Sequence, residues 1–132
     1  MQQPQTNSPD KTDETTSLKE LKELVSSFVA ERNWQKYHTP RNLAVSVTLE
    51  AAELLEHFQW APPAEETIDQ LKFQEISDEL SDVMAYLLSL ANVMNIDVAS
   101  SMRAKMQKNR KKYPTGEFLG TWKKSETSNT GL

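Results

Sequence analysis

No glycine occurs before residue 116, and the three in the chain, Gly116, Gly120 and Gly131, all lie near its end. Glycine lets a backbone turn through left-handed conformations and approach a ligand closely. Without a glycine-rich loop, the phosphate cradles of the P-loop and dinucleotide-binding types are excluded. The middle of the chain also shows almost none of the apolar–polar alternation that marks half-buried strands. Its apolar residues return every three or four positions instead, and the fold class this implies is all-α.

The helices can be bounded from their caps. Ser17-Leu18-Lys19-Glu20 is a capping box that starts a first helix running to about Asn33. Thr39 as cap and Pro40 at the first helical position start a second, which runs to near Trp60 before Ala61-Pro62-Pro63 breaks the chain. A third begins between Ala64 and Phe73 and continues through Met94, with Asn95 as its C-cap. Asp97 caps a fourth, which ends near Lys112 ahead of Pro114. Long helices on short links, without a repeat of solenoid length, predict a four-helix bundle.

A chain of 132 residues has room for one core. The domain is expected at residues 17–114, after an N-terminal tail (1–16) too poor in apolar side chains to offset its ordering entropy. Residues 115–132 are expected to form a mostly flexible tail. A net charge of −4 argues against a general nucleic-acid binder, and the lack of cysteine rules out a disulfide frame or thiolate metal site. No 18-residue apolar run or signal-peptide core is present, so no membrane partner and a cytoplasmic location are expected.

Within the second helix, "LEAAELLEHFQW" over residues 49–60 places two acids where a buried side is expected. At about 100° per residue, Leu43, Val47, Leu54 and Phe58 form one stripe, with Ala44, Ala51 and Leu55 beside it. Glu50 falls at its edge and Glu53 lies further round, beyond which Leu49, Val45 and Ala52 make the surface apolar again. The third helix repeats this pattern. Ile76, Leu80, Val83, Leu87, Leu90 and Met94 form its stripe, with Glu79 and Asp82 on the margin and Tyr86 one turn on.

Each acid pair is spaced i, i+3, which brings both carboxylates to one patch. Packing the two helices together would gather all four. Clustered carboxylates in a partly dry site need a cation, shared protons or basic partners, and neither helix offers a nearby Lys or Arg. Oxygen-only ligands favour Mg²⁺ or Mn²⁺ over Zn²⁺. The competing reading makes the acids ordinary solvated residues of amphipathic helices. His57 is a possible ligand but reads better as an isolated exposed histidine, and Glu75 and Asp78 are expected to face solvent.

Trp34, Tyr37 and His38 lie in the link "RNWQKYHTPRN", and Trp60 ends the second helix. They are either core plugs at helix ends or a stacking slot for a planar base, whose edge His38 or Asn42 would hydrogen-bond. On the fourth helix Lys105, Asn109 and Lys112 align with Val98 and Met102 on the inward stripe, while Lys108, Arg110 and Lys111 point elsewhere. A basic helix end suits the dipole, but two aligned lysines and an asparagine opposite a metal site suggest phosphate neutralisation.

Together these parts resemble the all-α nucleoside-triphosphate pyrophosphatases, the MazG-like group, and within it the dCTP pyrophosphatase type. The family pattern ExxE, spacer, ExxD is matched by Glu50-x-x-Glu53, residues 54–78 and Glu79-x-x-Asp82. Also similar are "ERNWQKYHTPRNLA", "ELLEHFQW", "DELSDVMAYLL" and "KMQKNRKKYP", and the likeness covers about residues 17–114. It implies that Glu50, Glu53, Glu79 and Asp82 hold Mg²⁺. It implies that Trp34 and Trp60 enclose the base near His38, and that Tyr86, Lys105, Asn109 and Lys112 surround sugar and phosphates. It further implies self-association, as a homodimer or homotetramer with sites built between subunits. The link after Trp60 is shorter than in animal members, which bears on base selectivity.

The expected activity is Mg²⁺-dependent hydrolysis of a dNTP, dCTP or a modified dCTP, to dNMP and pyrophosphate, in nucleotide-pool house-cleaning. Glu53 is the candidate general base. The alternatives are a related dUTPase or phosphoribosyl-ATP pyrophosphatase-like enzyme, which would not require both tryptophans, or a non-catalytic helical oligomerisation module.

Overall fold

The structure, a computed structural model, describes residues 11–60 and 68–122, so the expected break at Ala61-Pro62-Pro63 lies outside the described residues. The described residues hold helices and no strand: α1 (Leu18–Glu31), a 3-10 turn (Gln35–Tyr37), α2 (Pro40–Glu56), α3 (Gln70–Met94), α4 (Val98–Lys112) and α5 (Thr115–Phe118). Residues up to Ile96 form one compact unit, and those from Asp97 form a second.

Each long helix begins on a side-chain oxygen that takes up an orphan N–H. Ser17 Oγ accepts from the Glu20 amide while the Glu20 carboxylate accepts from the Ser17 amide, closing the predicted capping box. Lys11 also donates to that carboxylate at 2.8 Å, and this bond is the largest cause of the Glu20 carboxyl being lowered to about 2. Thr39 caps α2 with Pro40 at its first position, Asp69 caps α3, and Asp97 caps α4.

Two helices stop in the left-handed region without glycine. Asn33 has φ 53°, and its amide and that of Trp34 donate back to the Ala30 and Val29 carbonyls, a Schellman closure of α1. Asn95, also at φ 53°, closes α3 the same way, with Ile96 N–H donating to Ala91 O.

In the first unit α3 packs most extensively on α2 and also on α1. Lys22 Nζ donates to Ile96 O at 2.9 Å and Asn92 Nδ2 to Lys22 O at 3.0 Å, tying α1 to the end of α3. Among the described residues the buried apolar side chains are few: Val29, Leu43, Leu88 and Ala91, with Ser89 also buried. This corrects the expected stripe on α3. Leu80, Leu87 and Met94 are exposed within the chain, because what α1 and α2 cover is centred on Leu88 and Ala91.

The end of α2 also differs. The helix α2 ends at Glu56 rather than near Trp60, because Phe58 and Gln59 turn to donate to carbonyls three residues back and tighten the coil. A short helix, α5, follows Pro114 at the start of the segment expected to be mostly flexible, and the Tyr113 and Phe118 rings meet edge to face at 5.2 Å across it.

Candidate metal centre

Residues three apart on a helix share a patch, and the packing of α2 on α3 turns two such patches toward each other. Ligand oxygens of Glu50, Glu53 and Glu79 all lie within 4.8 Å of one another. Glu50 and Glu79 are half-buried and Glu53 is exposed. Glu50 Oε2 and Glu79 Oε2 are buried and have no hydrogen-bond partner among the described residues.

Such an arrangement is electrostatically costly as it stands. Burial, followed by a hydrogen bond and repulsion from Glu53 and then by Asp82 and Glu79, pushes the Glu50 carboxyl up to about 7. The Glu79 carboxyl is also raised, by burial first and then by Glu53 and Asp82. Two orphaned buried oxygens in a ring of acids, without Cys, are a donor set for a hard divalent cation. The residues fit such an ion: Glu50, Glu53 and Glu79 form the acidic triad that could hold it. Asp82 is exposed and stands outside that triad, though its charge acts on both Glu50 and Glu79.

His57 is not the isolated exposed residue expected. It is half-buried, and its charge draws the Glu79 carboxyl down, against the other causes. The available signal was its i+4 spacing from Glu53.

Two cavities flank Trp34. One, of about 460 Å³, is lined by Leu24, Phe28, Trp34, His38, Asp82 and Tyr86, among others, so a member of the acid cluster forms part of its wall. The other, of about 280 Å³, is lined by Trp34, Tyr37, His38, Asn42, Ser46 and Tyr86 among others. The predicted Trp34, His38, Asn42 and Tyr86 are therefore brought together. Asn42 Nδ2 already donates to Tyr37 O at 3.0 Å, which fixes its amide and leaves the carbonyl oxygen to accept. Phe28 was not foreseen as a lining residue, whereas Tyr37 stands in the aromatic link already read as a candidate stacking slot. Trp60 lines neither cavity and is 87% exposed. In the second unit Lys105 and Lys112 are exposed and Asn109 is half-buried.

The MazG-like family model matches residues 45–126, which include both acid pairs. The dCTP pyrophosphatase 1 of Bos taurus is 36% identical over 101 residues, covering 74% of this chain and 60% of the relative. That of Homo sapiens is 36% identical over 74% of this chain and 59% of its own length. The chain thus spans about 60% of the length of these relatives. A crystal structure of a pyrophosphatase from Archaeoglobus fulgidus has 42% sequence identity and a TM-score of 0.68, covering 74% of this chain and 92% of that one. With the family model spanning residues 45–126 and a backbone likeness over 74% of the chain, the chain belongs to the MazG-like family.

Proposed function

We propose that the chain is a nucleoside-triphosphate pyrophosphohydrolase that cleaves a dNTP, dCTP or a 5-substituted dCTP, between its α- and β-phosphates. The observation that carries this reading is the acidic triad with orphaned oxygens on α2 and α3, together with a cavity of about 460 Å³ that α1, Trp34, His38 and Tyr86 line and whose wall includes Asp82 of the acid cluster. Relatives named dCTP pyrophosphatase 1 support the choice of base.

Glu50, Glu53 and Glu79 would hold Mg²⁺, with Asp82 completing the set and Mn²⁺ able to substitute. When bound, the ion supplies Lewis-acid polarisation of phosphate oxygens and eases ionisation of water. The indole of Trp34 offers a stacking face for the base. Asn42, fixed by Tyr37 O, offers an acceptor for an exocyclic amine, and His38 and Tyr86 hold the base and sugar. Glu53, the most open of the triad, accepts the proton from the attacking water. That water's oxygen bonds to the α-phosphorus as the bond to the bridging oxygen breaks, and pyrophosphate leaves with that oxygen. Lys105 and Lys112 are assigned to the polyphosphate by charge, and Asn109 as a neutral hydrogen-bond donor spaced with them along α4.

Self-association is part of the proposal. Leu49, Val45, Leu80 and Leu87 remain exposed on α2 and α3 while only four apolar side chains are buried among the described residues, an arrangement suited to a second copy. Trp60 would then complete a site from another subunit.

The test is pyrophosphate release from dCTP, 5-methyl-dCTP, dUTP and phosphoribosyl-ATP with MgCl₂, MnCl₂ or EDTA. Release from dCTP that EDTA abolishes is expected. Release from none of them sinks the enzyme reading, and preference for dUTP or phosphoribosyl-ATP moves the chain to a sister activity.

A further inference from the structure

The Trp34 indole lines both cavities, as His38 and Tyr86 do, yet it is 43% exposed and lies beyond the end of α1, so burial alone does not fix its plane. The Schellman closure fixes the Trp34 backbone through its amide bond to Val29 O, at 3.1 Å, but leaves the side-chain torsions free. What meets the ring is Phe28, one helical turn and more behind it, edge to face at 5.9 Å and 73°. Phe28 is itself 49% exposed and needs a support of its own.

Arg32 provides that support. Its guanidinium carbon sits 3.7 Å from the Phe28 ring centroid and 5.9 Å from that of Trp34. The same group is anchored, since Nη1 donates to Phe28 O at 3.0 Å and lies 3.5 Å from Glu31 Oε2. A planar cation held by a helix-end carbonyl therefore covers one aromatic ring and reaches the next. We infer that Arg32 is a positioning residue, which orients the Trp34 indole through Phe28 for stacking against the nucleotide base. This rests on the reading of Trp34 as the base-stacking wall, and it adds a residue that contacts no substrate itself.

The test uses the full chain as wild type, Arg32→Ala, Arg32→Lys and Phe28→Leu. Pyrophosphate release from dCTP gives kcat and KM. Acrylamide quenching of Trp34, read in chains that also carry Trp60→Phe and Trp122→Phe, reports how firmly the indole is held. Arg32→Ala should raise KM about 3- to 5-fold, the scale of one exposed cation–π contact, with kcat within about twofold of wild type. Trp34 quenching should rise with it. Arg32→Lys keeps a cation but not the planar stack, so both readouts should fall between the two. Phe28→Leu leaves Arg32 able to cap α1 and should reproduce the alanine result, which separates orientation of the ring from loss of the cap. Unchanged quenching in Arg32→Ala overturns the inference, and so does raised quenching with an unaltered KM. A wild-type chain that hydrolyses no nucleotide refutes the pyrophosphohydrolase reading instead, and the quenching series still decides whether Arg32 holds Trp34.

Discussion

Replacing Glu50 by Gln should stabilise the metal-free protein at alkaline pH and remove most of its response to Mg²⁺. In the fold the Glu50 carboxyl sits at about 7, against an ordinary 4.5. The folded state therefore holds an extra proton between those values, and stability falls as pH rises through that window, with the full penalty present above about 7. The gap corresponds to at most about 3.4 kcal/mol. Partial solvent access screens it, leaving about 1–2 kcal/mol. Glutamine mimics the protonated acid and avoids this cost, so in EDTA at pH 8 Glu50→Gln should melt about 4–8 °C above wild type. At pH 5 the two should nearly coincide. Adding Mg²⁺ reverses the order, because an ion at about 100 times its Kd stabilises the wild type by about 2.7 kcal/mol and the variant has lost a ligand. Differential scanning fluorimetry at both pH values, with and without MgCl₂, reads all four arms. A variant that melts at or below wild type in EDTA at pH 8 would show that Glu50 is already well partnered, and would refute the strained-cluster account.

Glu53→Ala and Asp82→Ala should each abolish pyrophosphate release from dCTP, with helix content by far-UV circular dichroism intact; near-normal rates would move the chemistry elsewhere. Lys22→Met removes a part-buried charged donor from Ile96 O and should cost about 1.5–3 kcal/mol in urea denaturation. Asp69→Ala strips the cap from α3 and should cost about 1 kcal/mol by the same measurement, with the acid cluster's Mg²⁺ response retained.

The features legible in the sequence were those written in local chemistry. Ser17, Thr39 and Asp97 announce helix starts through their own side chains, and Asn95 a helix stop through its tolerance of positive φ. Glu50 with Glu53, and Glu79 with Asp82, could be paired from spacing alone because i, i+3 geometry belongs to any helix. What escaped depended on packing. The end of α2 tightens without proline or glycine to mark it. On α3 the large apolar residues outnumber what α1 and α2 can cover, so the pattern did not reveal that Leu88 and Ala91 are the covered ones. His57 approaches Glu79 only through the register of α2 on α3, and Phe28 and Arg32 meet Trp34 where α1 closes at Glu31, two residues before the expected end near Asn33.

The two left-handed asparagines carry a consequence for how firmly the turns they close are held. An asparagine at φ 53° bears some steric cost in the folded chain that glycine would not. In the unfolded ensemble, however, glycine visits far more conformations, and all of that freedom must be surrendered on folding. By using Asn33 before Trp34, the chain narrows the set of states from which this turn is recruited. The stiffness of the turn beneath the indole is thus set partly by states in which the indole has no neighbours at all.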